Sequence, residues 1–173
     1  MRTELRKIIE FDFGYSIRDF DHTFQVTKKL DKERFEAVMK RQTEIEKEQP
    51  DLVDDIMDDI HWYSFLESFL IWHFGLWRLQ AIFEGYVVKT FLDDNFKSGG
   101  LAKKLKGLRE KGYSISDKDF NELIEWGQIR NALSHFPPSA YSHGILNEGD
   151  VEEYLNLCRR IVTDLNDQQK VKT

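Results

Sequence analysis

The sequence contains one cysteine, three prolines and no excess of positive charge among its 173 residues. With Cys158 as its single thiol, the chain can form neither an internal disulfide nor a zinc site built from cysteines. The formal net charge of -6 excludes a general attraction to nucleic acid or to an anionic membrane. A polyanion would therefore have to be held by a local basic patch. The scarcity of proline within the periodic segments favours long helices.

A long uncharged apolar run and a signal-type N-terminus are also missing. The most apolar stretch, residues 62–83, has about the length of a bilayer span, but it contains Glu67, His73 and Arg78, which are costly in lipid. A helix buried deeply in protein is therefore predicted there. The charged residues 1–7 lack the apolar core of a secretory signal, and the single cysteine fits a reducing compartment, so a cytoplasmic location is expected.

Helical spacing of apolar residues dominates the rest of the chain and predicts an all-α bundle of four or five helices. The helices are predicted over 31–48, 51–93, 101–111, 116–136 and about 150–167. Residues 28–170 are predicted to form a single domain. Residues 1–27 are set apart as an N-terminal arm without assigned secondary structure, because a strand-like alternation from Phe11 to Ile17 lies among charges that suit an irregular segment.

The second helix is apolar over more of its circumference than one core face requires, so it needs partners on two sides. In a domain of this size, one of them could be a second copy of the chain, and a homodimer is predicted. Trp62, Trp72 and Trp77 lie at helical spacing and are predicted to be core residues, with base stacking as the alternative. Gly75 and Gly85 indicate a bend or a close helix contact.

The segment from Arg130 through Asn131 to His135, just before Pro137, is the strongest candidate for chemistry. A permanent cation and an imidazole that titrates near neutrality suit acid–base work on a phosphodiester. On a regular helix Asn131 and His135 lie about 40° apart, whereas Arg130 is roughly 140° from His135. Arg130 and His135 can converge where the helix breaks before Pro137, or across a symmetric dimer. The alternative is a purely structural cation pair at a helix C-terminus.

Arg130-Asn131-x-x-x-His135 resembles the motif of the HEPN superfamily, in which an Arg, usually followed by a polar residue, precedes a His after four to six intervening positions. The order of a long helix, a helix ending in the motif and a final helix is also similar over about 51–165. The resemblance implies a helical bundle that dimerises through the motif helices and often acts as a metal-independent endoribonuclease.

Carried over to this sequence, the resemblance implies that His135 acts as general acid or base at the ribose 2'-hydroxyl, leaving a 2',3'-cyclic phosphate. Arg130 would stabilise the phosphorane and Asn131 would hold the geometry. The implied setting is defence or toxin-like RNA cleavage, with an inhibitor or antitoxin protein as a partner. HEPN toxins paired with nucleotidyltransferase antitoxins usually carry Tyr two positions after the His, where this chain has Pro137.

Three further groups of residues are candidates. Lys103, Lys104 and Lys106 could contact RNA phosphates, or could be a solvated helix face. Asp54, Asp58 and His61 share one helix face and could hold a divalent cation, although acids at a helix start are explained by the dipole. Glu84, on the second helix, could enter an active cleft formed around the Arg130–His135 motif, but the spacing of Glu84 in the sequence does not require this. No glycine-rich nucleotide loop is present, so no cofactor is predicted. The competing function is a non-catalytic helical interaction module.

Overall fold

The computed structural model describes residues 16–134 and 146–172, and within them the chain forms five α-helices and no β-strand. The helices are α1 (Ile17–Glu48), α2 (Val53–Phe91), α3 (Leu101–Glu110), α4 (Asp117–Ser134) and α5 (Glu148–Lys172). Short 3-10 turns at Pro50–Leu52 and Asp94–Phe96 follow α1 and α2. The all-α prediction and the predicted number of helices are confirmed for the described residues.

Helix α1 begins much earlier than the predicted helix at residue 31. The backbone N–H of Ser16 donates to the Asp19 carboxylate at 2.7 Å, which fixes the start of the helix. Phe20 and Phe24 in its first turns are buried in the core. Part of the segment set apart as an arm is therefore helical, while residues 1–15 lie outside the described residues.

Helices α1 and α2 form an antiparallel hairpin, and Gly75 lies at their close contact. A β-carbon at Gly75 would lie 2.9 Å from the Thr27 methyl carbon, closer than real β-carbon contacts. The predicted close helix contact at Gly75 is thus confirmed. The absence of a side chain there lets Thr27 pack directly against the α2 backbone.

The core lies between the C-terminal half of α2 and helices α3, α4 and α5, with the first turns of α1 packed against it. Trp72 is 1% exposed and is a core residue, as predicted. The core positions predicted on the last helix are all buried: Val151, Tyr154, Leu155, Cys158, Ile161, Val162 and Leu165. Regular three-four spacing predicted them because one face of α5 does all of its packing.

One face of α2 between residues 62 and 77 is exposed, contrary to the prediction of a deeply buried helix. Trp62 is 60% exposed and Trp77 48%, so their assignment to the core is wrong within one copy of the chain. Apolar periodicity identifies side chains that favour burial, but it does not identify what covers them. In the part of the chain described here, no helix is both long and apolar enough to cross a membrane.

An ion pair between α4 and α5 gives a testable pH dependence. Ser116 caps α4, as predicted, by accepting from the Asp119 backbone N–H at 3.0 Å, and the Asp119 carboxylate lies 2.8 Å from the Arg160 guanidinium. The Arg160 hydrogen bond lowers the pKa of Asp119 below its ordinary value.

Because the folded-state pKa of Asp119 is depressed, its contribution to stability is present at neutral pH and is lost as the pH falls below about 4. We expect Asp119→Asn to lower the free energy of unfolding by about 1 kcal/mol at pH 7, a modest value because Arg160 is half exposed. Urea unfolding at pH 7 and pH 3 should show the difference from wild type shrinking at pH 3. An equal difference at both pH values would contradict the ion-pair assignment.

Candidate active site

The Arg130 side chain lines a cleft of about 690 Å³ between α2, α3 and α4. This volume lies within the usual range of small-molecule sites. The lining residues are Ala81, Glu84, Gly85, Val88, Lys89, Leu92, Asp93, Lys97, Lys104 and Arg130. The long helix α2 forms one wall, because residues 81, 84, 85 and 88 recur at helical spacing.

Glu84 is the centre of the polar contacts in this cleft. Its Oε1 accepts a hydrogen bond from Gln80 Nε2 at 2.8 Å and lies 3.7 Å from Arg130 Nη2. Its Oε2 accepts from the Lys104 ammonium. The Glu84 side chain is only 14% exposed, so its charge is compensated mainly by Lys104 and Arg130 rather than by water.

Lys104 extends from α3 into the cleft wall and is a buried cation, with a side chain 7% exposed. Besides its ion pair with Glu84, its ammonium donates to the Gly99 carbonyl at 2.6 Å. A buried ammonium needs such partners because its desolvation is costly. Lys104 therefore fixes the position of Glu84, and Glu84 in turn lies against Arg130.

The cleft is basic although the protein is acidic. Lys89, Lys97, Lys104 and Arg130 line it together with only two carboxylates, those of Glu84 and Asp93. The Asp93 carboxylate accepts from the Lys111 ammonium at 2.8 Å, and this hydrogen bond lowers the pKa of Asp93. Positive charge concentrated in a concave site attracts anions even when the net charge is negative.

The structure places two of the three predicted catalytic residues. Arg130 lines the cleft, and its Nη1 donates to Asn131 Oδ1 at 3.0 Å. Asn131 was predicted to support His135 from one turn away, and this stays a prediction; the described contact of Asn131 is with the Arg130 guanidinium. His135 lies outside the described residues.

The three lysines predicted to bind RNA occupy different environments. Lys104 is in the cleft with Arg130. Lys103 is exposed and donates to the carbonyls of Asn95 and Ser98 at 3.2 and 3.1 Å. Lys106 is exposed on α3, and neither Lys103 nor Lys106 is among the residues that line the cleft. The role of all three in RNA binding stays a prediction.

The alternative metal site does not form in the described part of the chain. No cluster of three or more His, Cys, Asp or Glu side chains able to hold a metal ion occurs among the described residues, which include Asp54, Asp58 and His61.

Sequence reasoning gave Glu84 no defined role and missed Lys89. The available signal was the pair Gln80 and Glu84, two polar residues one turn apart within a strongly apolar helix. Such a pair indicates a polar site set into the core, but its partner from α3 is 20 positions away in sequence and only the fold brings it close.

Comparison with known proteins gives no relative from which a role could be transferred. The chain matches no protein-family model, no curated protein sequence and no solved structure.

Proposed function

We propose that the protein is an endoribonuclease of the HEPN type, which cleaves RNA without a metal ion through Arg130, Asn131 and His135. The observation that carries the proposal is the position of Arg130, the first residue of the motif, in a basic cleft beside a buried carboxylate. An arginine that served only to stabilise the end of α4 would not need such a cleft.

The proposed reaction is an internal transesterification. His135 removes the proton from a ribose 2'-hydroxyl, the 2'-oxygen bonds to phosphorus, and the bond from phosphorus to the 5'-oxygen breaks. The leaving 5'-oxygen takes up a proton from water, and the other product ends in a 2',3'-cyclic phosphate. Arg130 stabilises the negative charge that develops on the phosphorane oxygens, and Asn131 holds the Arg130 guanidinium through the contact at 3.0 Å.

The cleft residues support this assignment through charge and rigidity. Lys89 and Lys97 supply positive charge at the cleft wall, which suits the phosphates that flank the cleaved linkage. Lys104 and Glu84 form a buried ion pair beside Arg130. Pre-organised charge of this kind favours the transition state because it needs no rearrangement during the reaction.

The proposed setting is cytoplasmic RNA cleavage in defence or toxin-like systems, with a homodimer as the working unit and an inhibitor or antitoxin protein as a partner. The homodimer is supported by the exposed apolar face of α2. The cytoplasmic location is supported by the single cysteine, Cys158, and the other elements of this setting by the HEPN resemblance of the motif.

The test is an RNA cleavage assay with the full chain in the presence of EDTA. We expect cleavage of single-stranded RNA to give 2',3'-cyclic phosphate ends, and DNA of the same sequence to remain intact because it lacks the 2'-hydroxyl. Activity that EDTA abolishes would favour metal-dependent hydrolysis instead. An intact RNA substrate under all conditions would favour the second candidate.

The second candidate is a non-catalytic helical interaction module. It is favoured by the aromatic side chains that α2 exposes, which are typical of protein-binding surfaces. Under this function the Arg130 contacts are structural, so variants of Arg130 and His135 should change stability and leave partner binding on α2 intact.

A further inference from the structure

Helix α2 carries an exposed apolar stripe on the face that does not pack against the core. The stripe consists of Trp62, Tyr63, Leu66, Leu70, Phe74 and Trp77, and the exposed fraction of these residues ranges from 37% for Leu66 to 66% for Tyr63 and Phe74. Exposed side chains of this size at helical spacing in one row are unusual for a monomer.

The area of the stripe is close to what a stable pair of copies needs. From the exposed fractions and the usual areas of aromatic and leucine side chains, it amounts to roughly 700 Å² per copy. The largest apolar patch of a typical monomer is about 300–600 Å², and a standard interface covers about 800 Å² per partner. The stripe alone thus supplies most of one side of a standard interface.

Apart from Trp62, the stripe has the same spacing in both directions along the helix. Leu70 lies at its centre, with Leu66 and Phe74 four positions away and Tyr63 and Trp77 seven positions away. When a helix lies antiparallel to its own copy about a two-fold axis, each residue before the centre faces the residue equally far after it. Tyr63 would then face Trp77, and Leu66 would face Phe74.

We propose that two copies of the chain pair through this stripe, with their α2 helices antiparallel and the two-fold axis passing beside Leu70. The ends of the stripe lie about 12 Å from the axis along the helix. Both ends can stay in contact only at a shallow crossing angle of about 20°, which is common in helical bundles.

This pairing also extends to the motif helix. Leu133 of α4, three positions after Arg130, lines a groove of about 210 Å³ together with Leu70, His73, Phe74 and Trp77. The partner copy that covers the stripe would therefore cover this groove and lie against the C-terminal end of α4. The inference deepens the homodimer in the proposed function, but it requires no ribonuclease activity.

The position of the two-fold axis can be tested by cross-linking the chain that carries Leu70→Cys. The native Cys158 thiol is fully buried, and burial raises its pKa, so it does not compete for oxidation. We expect Leu70→Cys to form a disulfide-linked dimer under mild oxidation, because two residues at the axis come within disulfide distance.

The register is tested by Phe74→Cys, alone and combined with Leu66→Cys. Two copies of residue 74 lie about 12 Å apart along the helix direction, so we expect the single variant to cross-link at least tenfold more slowly than Leu70→Cys. The double variant places unlike positions opposite each other and should cross-link rapidly. Faster cross-linking by Phe74→Cys alone than by Leu70→Cys would overturn the proposed axis.

The surface itself is tested by the mass of the protein in solution, measured by light scattering. We expect wild type to have twice the 20.6 kDa of one chain at micromolar concentration, and Phe74→Glu to weaken dimerisation at least a hundredfold. Phe35→Glu on α1 is the matched control, since Phe35 is also exposed but lies outside the stripe. A monomeric wild type, or a Phe35→Glu effect equal to that of Phe74→Glu, would overturn the proposal. These measurements use no RNA. The dimer proposal can therefore be overturned while the ribonuclease proposal holds, and the ribonuclease proposal can be overturned while the dimer proposal holds.

Discussion

Replacing Arg130 with alanine should lower RNA cleavage by a factor of about 10²–10³ while the helical bundle remains folded. The reason is that the guanidinium supplies the charge that the phosphorane requires, and removal of one such electrostatic group usually costs a factor of about 10²–10³ in rate. His135→Ala should have an effect of at least the same size, because the 2'-hydroxyl loses its proton acceptor. The measurement is the initial rate of cleavage of a fluorescent RNA in EDTA, with helicity and melting temperature recorded for each variant.

Arg130→Lys and Asn131→Ala separate charge from geometry. Lysine keeps the positive charge but lacks the planar fork that bonds Asn131 and faces Glu84, so we expect it to recover only a small part of the lost rate. Asn131→Ala should lower the rate less than Arg130→Ala does, since the cation remains. Arg130→Ala that cleaves RNA at the wild-type rate would exclude the proposed site, and a variant that unfolds would favour the non-catalytic module.

The second large effect concerns the buried pair of Glu84 and Lys104. The Lys104 side chain is only 7% exposed, and Glu84→Leu removes its carboxylate partner. The Gly99 carbonyl is then the remaining described partner of the Lys104 ammonium. Removing one member of a buried pair typically costs about 3–5 kcal/mol, because the other charge stays buried without compensation. Urea unfolding should therefore show the free energy of unfolding lowered by about that amount.

The double variant Glu84→Leu with Lys104→Met distinguishes stability from positioning. Replacing both members by apolar side chains of similar size is often close to neutral for stability, so we expect unfolding to return to within about 1–2 kcal/mol of wild type. Cleavage should stay impaired, with a lower kcat, because Arg130 still lacks the carboxylate that orients it. Full recovery of kcat together with stability would show that Glu84 acts only in packing.

The exposed pair of Lys28 and Glu148 provides a matched control for this comparison. It also joins two helices, α1 and α5, but its side chains are 50% and 42% exposed. Lys28→Met should leave the free energy of unfolding close to that of wild type, because water compensates the remaining charge. A loss as large as that of Glu84→Leu would contradict the argument from burial.

The buried residues of a helix could be predicted from the sequence where only one face of that helix packs against the core. The seven buried positions of α5 and the Ser116 cap of α4 were predicted, because local spacing and capping chemistry determine them. The start of α1 was not, because the aromatic alternation before residue 17 resembles a strand more than a helix.

The candidate site shows the same division. Arg130 and Asn131 were identified from the motif, since both lie in one short segment. The roles of Glu84 and Lys104 depend on a contact between two helices, made by residues that lie 20 positions apart along the chain. A carboxylate within an apolar helix is visible in the sequence, but the ammonium that compensates it is not.

The sequence by itself determined the helical class, the faces that pack in α5, and the segment that we propose to perform acid–base chemistry, because these depend on spacing within a few turns. Only the tertiary structure decided that Arg130 lines a basic cleft, that Lys104 is buried against Glu84, and that one apolar face of α2 lies outside the core. Burial and electrostatic environment arise from contacts between distant segments, and spacing along one helix carries no information about those contacts.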